Sequence, residues 1–219
     1  MFSYIFILVS TIFFITPKLE LVIRKNIYNL VLTSILLAYI FLGWISLFLI
    51  SIDQSKFPVL AISITIFFLS IFADKEIKRK LISLKKITNL EIKKFLSCID
   101  KNKISVLFAC ILILIIILSS IGPINHPDSI DYHIGYPYQY WLHGNFFIDG
   151  GLQQGLVGIG DYANLSFIQE KNIWLVRTLQ IFPLPIITVF LLNNLNKKYL
   201  VIALLSSPII IQWSTIGKP

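Results

Sequence analysis

The stretch ISVLFACILILIIILSSI, Ile104–Ile121, runs eighteen residues without a charge. A helix needs roughly 20 mostly apolar residues to cross the hydrocarbon core of a bilayer. This stretch therefore reads as a membrane span. Five others approach or reach the same length: Phe2–Thr16, Ile27–Ser51, Phe57–Ala73, Ile173–Leu192 and Tyr199–Trp213. The chain is 56% hydrophobic and only 14% charged, well away from a soluble globular composition. The expected fold is all-α: a polytopic transmembrane helix bundle of about six spans, with an outer juxtamembrane helical loop.

The segments flanking Ile104–Ile121 differ in charge. Residues 74–103 carry ten Lys/Arg against four Asp/Glu, a net +6, whereas residues 122–172 carry one lysine against five acids, a net −4. Cytoplasmic loops are enriched in Lys/Arg, so 74–103 is expected inside and 122–172 outside. Lys18, Arg24, Lys25, Lys197 and Lys198 fall inside under the same topology. The N-terminus and Ile216–Pro219 then lie outside. Three parts result: a three-span scaffold over 1–73, a basic cytoplasmic loop over 74–103, and a transmembrane region over 104–219 that contains the outer loop 122–172. Topology accounts for the net charge of +8, so no nucleic-acid partner is called for. In 74–103, lysines alternate with Ile77, Leu81, Leu84, Ile87, Leu90, Phe95 and Ile99. This near-helical spacing fits a basic amphipathic helix on an anionic inner leaflet, and a solvated basic linker fits it too. The first span lacks a basic n-region and a small-x-small cleavage site, and reads as retained membrane segment. Cys98 and Cys110 suggest neither a disulfide framework nor a zinc pattern.

Loop 122–172 is where the chemistry-bearing residues gather. It holds all three histidines, five of the eleven acids, and six of the ten glycines, these between Gly144 and Gly160. Pro127 to Gly144 reads as a short helix or two, with Asp128 as an N-cap and Pro137 as a break or kink. Its Tyr132, Tyr136, Tyr138, Tyr140 and Trp141 suit the outer membrane–water interface. Residues 144–164 read as a mobile or tightly turned connection. Asp128 and Asp131, three apart, share a helix face, and paired carboxylates can raise one pKa toward that of a general base. Their structural alternatives are a helix cap for Asp128 and a solvated surface position for Asp131. His133 adds a group that changes charge near neutrality. His126, Asp128, His133 and His143 match no zinc spacing, so no metal site is assigned. No cofactor is expected, and dependence on a divalent metal stays open. Arg177, about a turn into its span, either snorkels to headgroups or binds a lipid phosphate.

The string Pro127-Asp128-x-Ile130-x-Tyr132-His133-Ile134-x-x-Pro137, followed by aromatics and Gly144, resembles the first outer loop of GT-C superfamily glycosyltransferases, such as protein mannosyltransferases and aminoarabinose transferases. Gly158-Ile-Gly-Asp161-Tyr-Ala-Asn164 and Ile173-Trp-Leu-Val-Arg177 resemble uncharacterised relatives of the same kind. The resemblance implies sugar transfer from a polyprenyl-phosphate donor to a lipid or glycan acceptor at the outer face. It makes Asp128 the catalytic base and Asp131 its understudy, with His126, Tyr132, His133 and Arg177 as substrate-binding candidates. It also implies a multi-pass protein of the bacterial inner membrane, in contact with membrane lipids. GT-C enzymes usually set one span before this loop, where three or four stand here, and continue for many more spans. The chain is accordingly expected to be an N-terminal portion. The alternative is a non-enzymatic membrane protein, a transporter fragment or assembly factor, whose outer loop binds a partner.

Overall fold

The computed structural model describes residues 2–22, 27–73, 77–121, 133–144, 158–172, 181, 183–195 and 198–208. Among these residues the chain is all-α, with nine helices and no strand. They are α1 (Phe2–Val22), α2 (Ile27–Ser51), α3 (Val59–Phe72), α4 (Ile77–Lys101), α5 (Lys103–Ile121), α6 (Gly135–His143), α7 (Ile159–Gln169), α8 (Pro183–Leu195) and α9 (Lys198–Leu205).

Two helices among the described residues are long and apolar enough to cross a membrane, Ile27–Ser51 and Lys103–Ser120. At about 1.5 Å per residue, the 25 residues of α2 reach roughly 37 Å, against a hydrocarbon core of about 30 Å. The 14 residues of α3 reach only about 21 Å. The expected spans Ile173–Leu192 and Tyr199–Trp213 lie partly outside the described residues, and their described portions form α8 and α9.

The helices pack as two groups. In the first, α1 lies against α2 and α3, and α7 crosses α2 with α6 behind it. Its core joins Tyr4, Ile7, Leu42, Leu49, Val59, Tyr140, Leu165 and Phe167. Small residues make the close approaches. Ser10, Ser34, Ala38, Ser46 and Ser63 are all buried, and Ser10 and Ser63 return their hydroxyls to their own helices at Phe6 and Val59. Small-residue faces of this kind let helix backbones approach where lipid removes the usual hydrophobic drive. The second group packs α5, α8, α9 and the end of α4 around Val106, Ile116, Ile181, Leu192, Val201 and Leu205. On the outside, large apolar side chains stand exposed: Leu36, Phe41, Trp44 and Phe48 on α2, Phe68 and Phe72 on α3, and Leu107, Ile111, Leu114 and Leu118 on α5. Apolar exposure on this scale marks a surface that meets something other than water.

Side chains at the two ends of the first group tie together different segments. At one end, Glu170 accepts hydrogen bonds from the Phe2 and Ser3 backbone N–H groups, at 2.7 and 2.8 Å, and from the Ser3 hydroxyl. Gln169 Oε1 accepts from Val59 N–H at 2.8 Å, while its amide donates to the carbonyls of Ser55 and Phe57. The end of α7 thus caps the N-termini of both α1 and α3, whose first N–H groups have no partner within their own helices. At the other end, the Tyr28 hydroxyl donates to Glu91 of α4 at 3.0 Å and accepts from Asn193 of α8 at 2.8 Å.

The loop expectations are met in part. Residues 77–101 are helical, which selects the amphipathic helix over the linker. Pro137 does not break the segment, because α6 runs from Gly135 to His143 through it. It stands in the first turn, where a missing N–H forfeits no intrahelical bond. Residues 159–164, expected within a turned connection, form the start of α7 instead. The aromatics of α6 divide: Tyr136 and Tyr140 are buried against α7, while Tyr138 and Leu142 face out.

Candidate functional site

α7 is polar in sequence yet buried along most of its length, from Asp161 through Ala163–Ile168. Its start explains how such a helix forms beside glycines. Gly158 takes an extended N-cap conformation, and its N–H donates to Asp161 Oδ2 at 2.7 Å. This is the half of a capping box in which the N3 acid reaches back to the cap. Its end is closed by a Schellman turn, with Lys171 at φ 56° and Asn172 N–H bonded to the Phe167 carbonyl. At Gly43 the two helices nearly touch through backbone: an added Cβ would lie 2.1 Å from the Ile159 carbonyl oxygen.

That close approach assembles a buried polar network. His133 Nδ1 lies 2.6 Å from Asp161 Oδ1, and both residues are buried. With a carboxylate on that side, the ring proton sits on Nδ1 and Nε2 carries the lone pair of the neutral ring. Asn164, fully buried, donates from Nδ2 to the His133 carbonyl at 2.7 Å. Its Oδ1 accepts from the Tyr39 hydroxyl of α2 at 3.2 Å. His133 is therefore held at both ring and backbone by two residues of α7, one turn apart. Beside the network, Tyr136, Tyr140 and Tyr162 stack in series, with centroids 6.2 and 6.4 Å apart. Burial, reinforced by Tyr140 and Asp161, raises the Tyr162 phenol above its ordinary value and keeps it a proton donor.

Of the residues singled out in the sequence, His133 is the one described, and it is buried as an anchor. Asp128, Asp131, His126, Tyr132 and Arg177 lie outside the described residues. His143, weighed as a metal ligand, is exposed at the end of α6. No group of three or more His, Cys, Asp or Glu able to hold a metal occurs among the described residues. Cys98 is buried and Cys110 exposed, both free thiols. The sequence reading missed the partners: Asp161 and Asn164 were noted in a motif without a role, and Tyr39, Gln169 and Glu170 were not singled out. The available signal was Asp161 at N3 behind Gly158, a helix-start pattern. What the structure joins are the two loop motifs, the His133 end of one and the Asp161–Asn164 turn of the other.

The chain belongs to the family described as the DUF1420 N-terminal domain, which matches residues 44–219. The match takes in His133, Asp161 and Asn164, while Tyr39 precedes it. No curated protein and no solved structure matches the chain.

Proposed function

We propose that this family member is a multi-pass membrane glycosyltransferase of GT-C type, acting at the outer face of a bacterial inner membrane. Its donor is a sugar on a polyprenyl phosphate, and its acceptor a lipid or glycan hydroxyl. The observation that carries the reading is the grip of Asp161 and Asn164 on His133. His133 directly follows the segment His126–Tyr132, which holds the acids that the resemblance assigns to catalysis. A base must hold its geometry, and the structural side of that requirement is a rigid attachment next to it in sequence.

In the proposed reaction Asp128 takes the proton from the acceptor hydroxyl as its oxygen attacks the anomeric carbon. The bond from that carbon to the phosphate oxygen breaks, and polyprenyl phosphate leaves with the electron pair. Positive charge or hydrogen-bond donors must meet the developing phosphate. Arg177 and the histidine His126 take that role here, with Tyr132 against the sugar and Asp131 beside the base. His133 positions the segment through its backbone and ring.

Two further observations support the membrane part of the proposal. The α1 start, the turn between α2 and α3, α6 and the end of α7 are tied together at one end of the first group. These are the segments that the charge pattern assigns to the outside. Tyr28, Glu91 and Asn193 meet at the other end, near the basic clusters. The six-span count belongs to this proposal as well. Its test is transfer of a labelled sugar from a polyprenyl phosphate by the purified protein in lipid. Impermeant-thiol labelling of Ser129→Cys and Ser83→Cys in intact cells accompanies it. Transfer with labelling at position 129 supports the reading, while labelling at position 83 alone overturns the topology.

A further inference from the structure

α4 is unlike every other long helix of the chain. Over Ile77–Lys101 it carries eight Lys/Arg against Glu91 and Asp100, a net +6. One face is committed to the bundle. Glu91 bonds to Tyr28, Cys98 Sγ sits 3.7 Å from the Leu192 carbonyl, and Phe95 and Ile99 are partly buried. The opposite face presents Ile82, Lys85, Asn89, Ile92, Lys93 and Leu96, at spacings of three, four and seven, and all six are exposed. Ile82 is 62% exposed and Leu96 55%. A helix solvated by water would not keep isoleucine and leucine in one stripe with lysines between them. Apolar side chains that sink below a headgroup layer while lysines stay at its level produce that pattern.

We propose that the exposed face of α4 is a docking surface for anionic phospholipid, laid on the leaflet next to the Tyr28–Asn193 end of the bundle. Charge complementarity selects the occupant. Each lysine near an anionic bilayer surface contributes about 1 kcal/mol, equivalent to about fivefold in occupancy. A net +6 on one helix therefore binds such a surface strongly and a zwitterionic one weakly. The inference stands apart from the glycosyltransferase reading, because none of its residues lies in loop 122–172.

The test uses the whole chain with Cys98→Ser and Cys110→Ser, and an environment-sensitive dye on Leu96→Cys or, in a second preparation, Ile82→Cys. The protein is reconstituted into phosphatidylcholine alone or with phosphatidylglycerol. The expected result is blue-shifted emission, quenched by lipid-borne quencher, in the phosphatidylglycerol bilayers, and water-like emission in phosphatidylcholine. Lys85→Gln with Lys93→Gln should lower the lipid-docked to water-exposed ratio by about 30-fold, roughly fivefold per lysine. Raised salt should act in the same direction. Water-like emission in both bilayers at both dye positions would overturn the proposal. Lipid-like emission in both, unaffected by the lysine changes, would overturn the recognition of charge.

Discussion

Gly43→Ala tests whether the contact between α2 and α7 is as tight as the structure makes it. The added methyl would stand 2.1 Å from the Ile159 carbonyl oxygen, 2.8 Å from its Cγ2 and 3.0 Å from its carbonyl carbon, whereas ordinary contact begins near 3.4 Å. Two of those atoms are backbone, so rotating a side chain relieves nothing, and the helices must part by roughly 1 Å. Overpacking of this kind costs about 1–3 kcal/mol. The shift should also reach the polar network, since lengthening the 2.6 Å His133–Asp161 contact by about 1 Å takes it out of hydrogen-bonding range. The assay is denaturant unfolding of the purified protein in detergent, with amide exchange followed along Asp161–Ile168. Gly43→Ala should lower the midpoint and speed exchange in that segment. Leu36→Ala, on an exposed position of the same helix, should change the midpoint little. An unchanged midpoint and unchanged exchange in Gly43→Ala would refute the reasoning.

His133→Phe leaves the Asp161 carboxylate buried with one donor fewer, and should cost about 1–3 kcal/mol in thermal unfolding; an equal midpoint would show that the pair does not anchor the segment. Burial pushes the Glu170 carboxyl up, but donors at the start of α1, the Ser3 hydroxyl and amide among them, outweigh it and hold the group below its ordinary value. A lowered folded-state pKa gives stability that is present above the unfolded value and lost as pH falls through the folded one. Wild type should therefore exceed Glu170→Gln in unfolding midpoint near neutrality, with the gap closing in acid, and a gap constant with pH would count against the cap. Lys171 closes α7 at φ 56°, a conformation that favours glycine, so Lys171→Gly should raise stability by about 0.5–1 kcal/mol, and a lower midpoint would contradict the assignment.

The long apolar runs were legible because membrane spanning is a matter of length and composition, and α2 and α5 match them closely. α4 was legible from its period. α7 was not, because Gly158 and Gly160 look like turn residues while Asp161, Asn164 and Ser166 look solvated. Their burial depends on α2 offering a glycine at position 43, which nothing local to α7 reveals. Gln169 and Glu170 cap helices that start more than a hundred residues earlier, and capping across such a separation leaves no sequence signature. The outer loop was recognisable as a cluster of acids, aromatics and histidines. That His133 would be the buried anchor rather than a ligand-facing group follows only from its meeting with Asp161, 28 residues on.

The most direct measurement of the central claim compares Asp128→Asn with Asp131→Asn in labelled-sugar transfer from a polyprenyl phosphate. The purified protein is used in lipid, with membrane insertion checked for each variant. A catalytic base typically contributes about 10²–10⁴-fold to rate. Asp128→Asn should lose activity on that scale while inserting normally, and Asp131→Asn should lose much less. Transfer by Asp128→Asn at the wild-type rate would contradict the assignment of the base and, with it, the proposed mechanism.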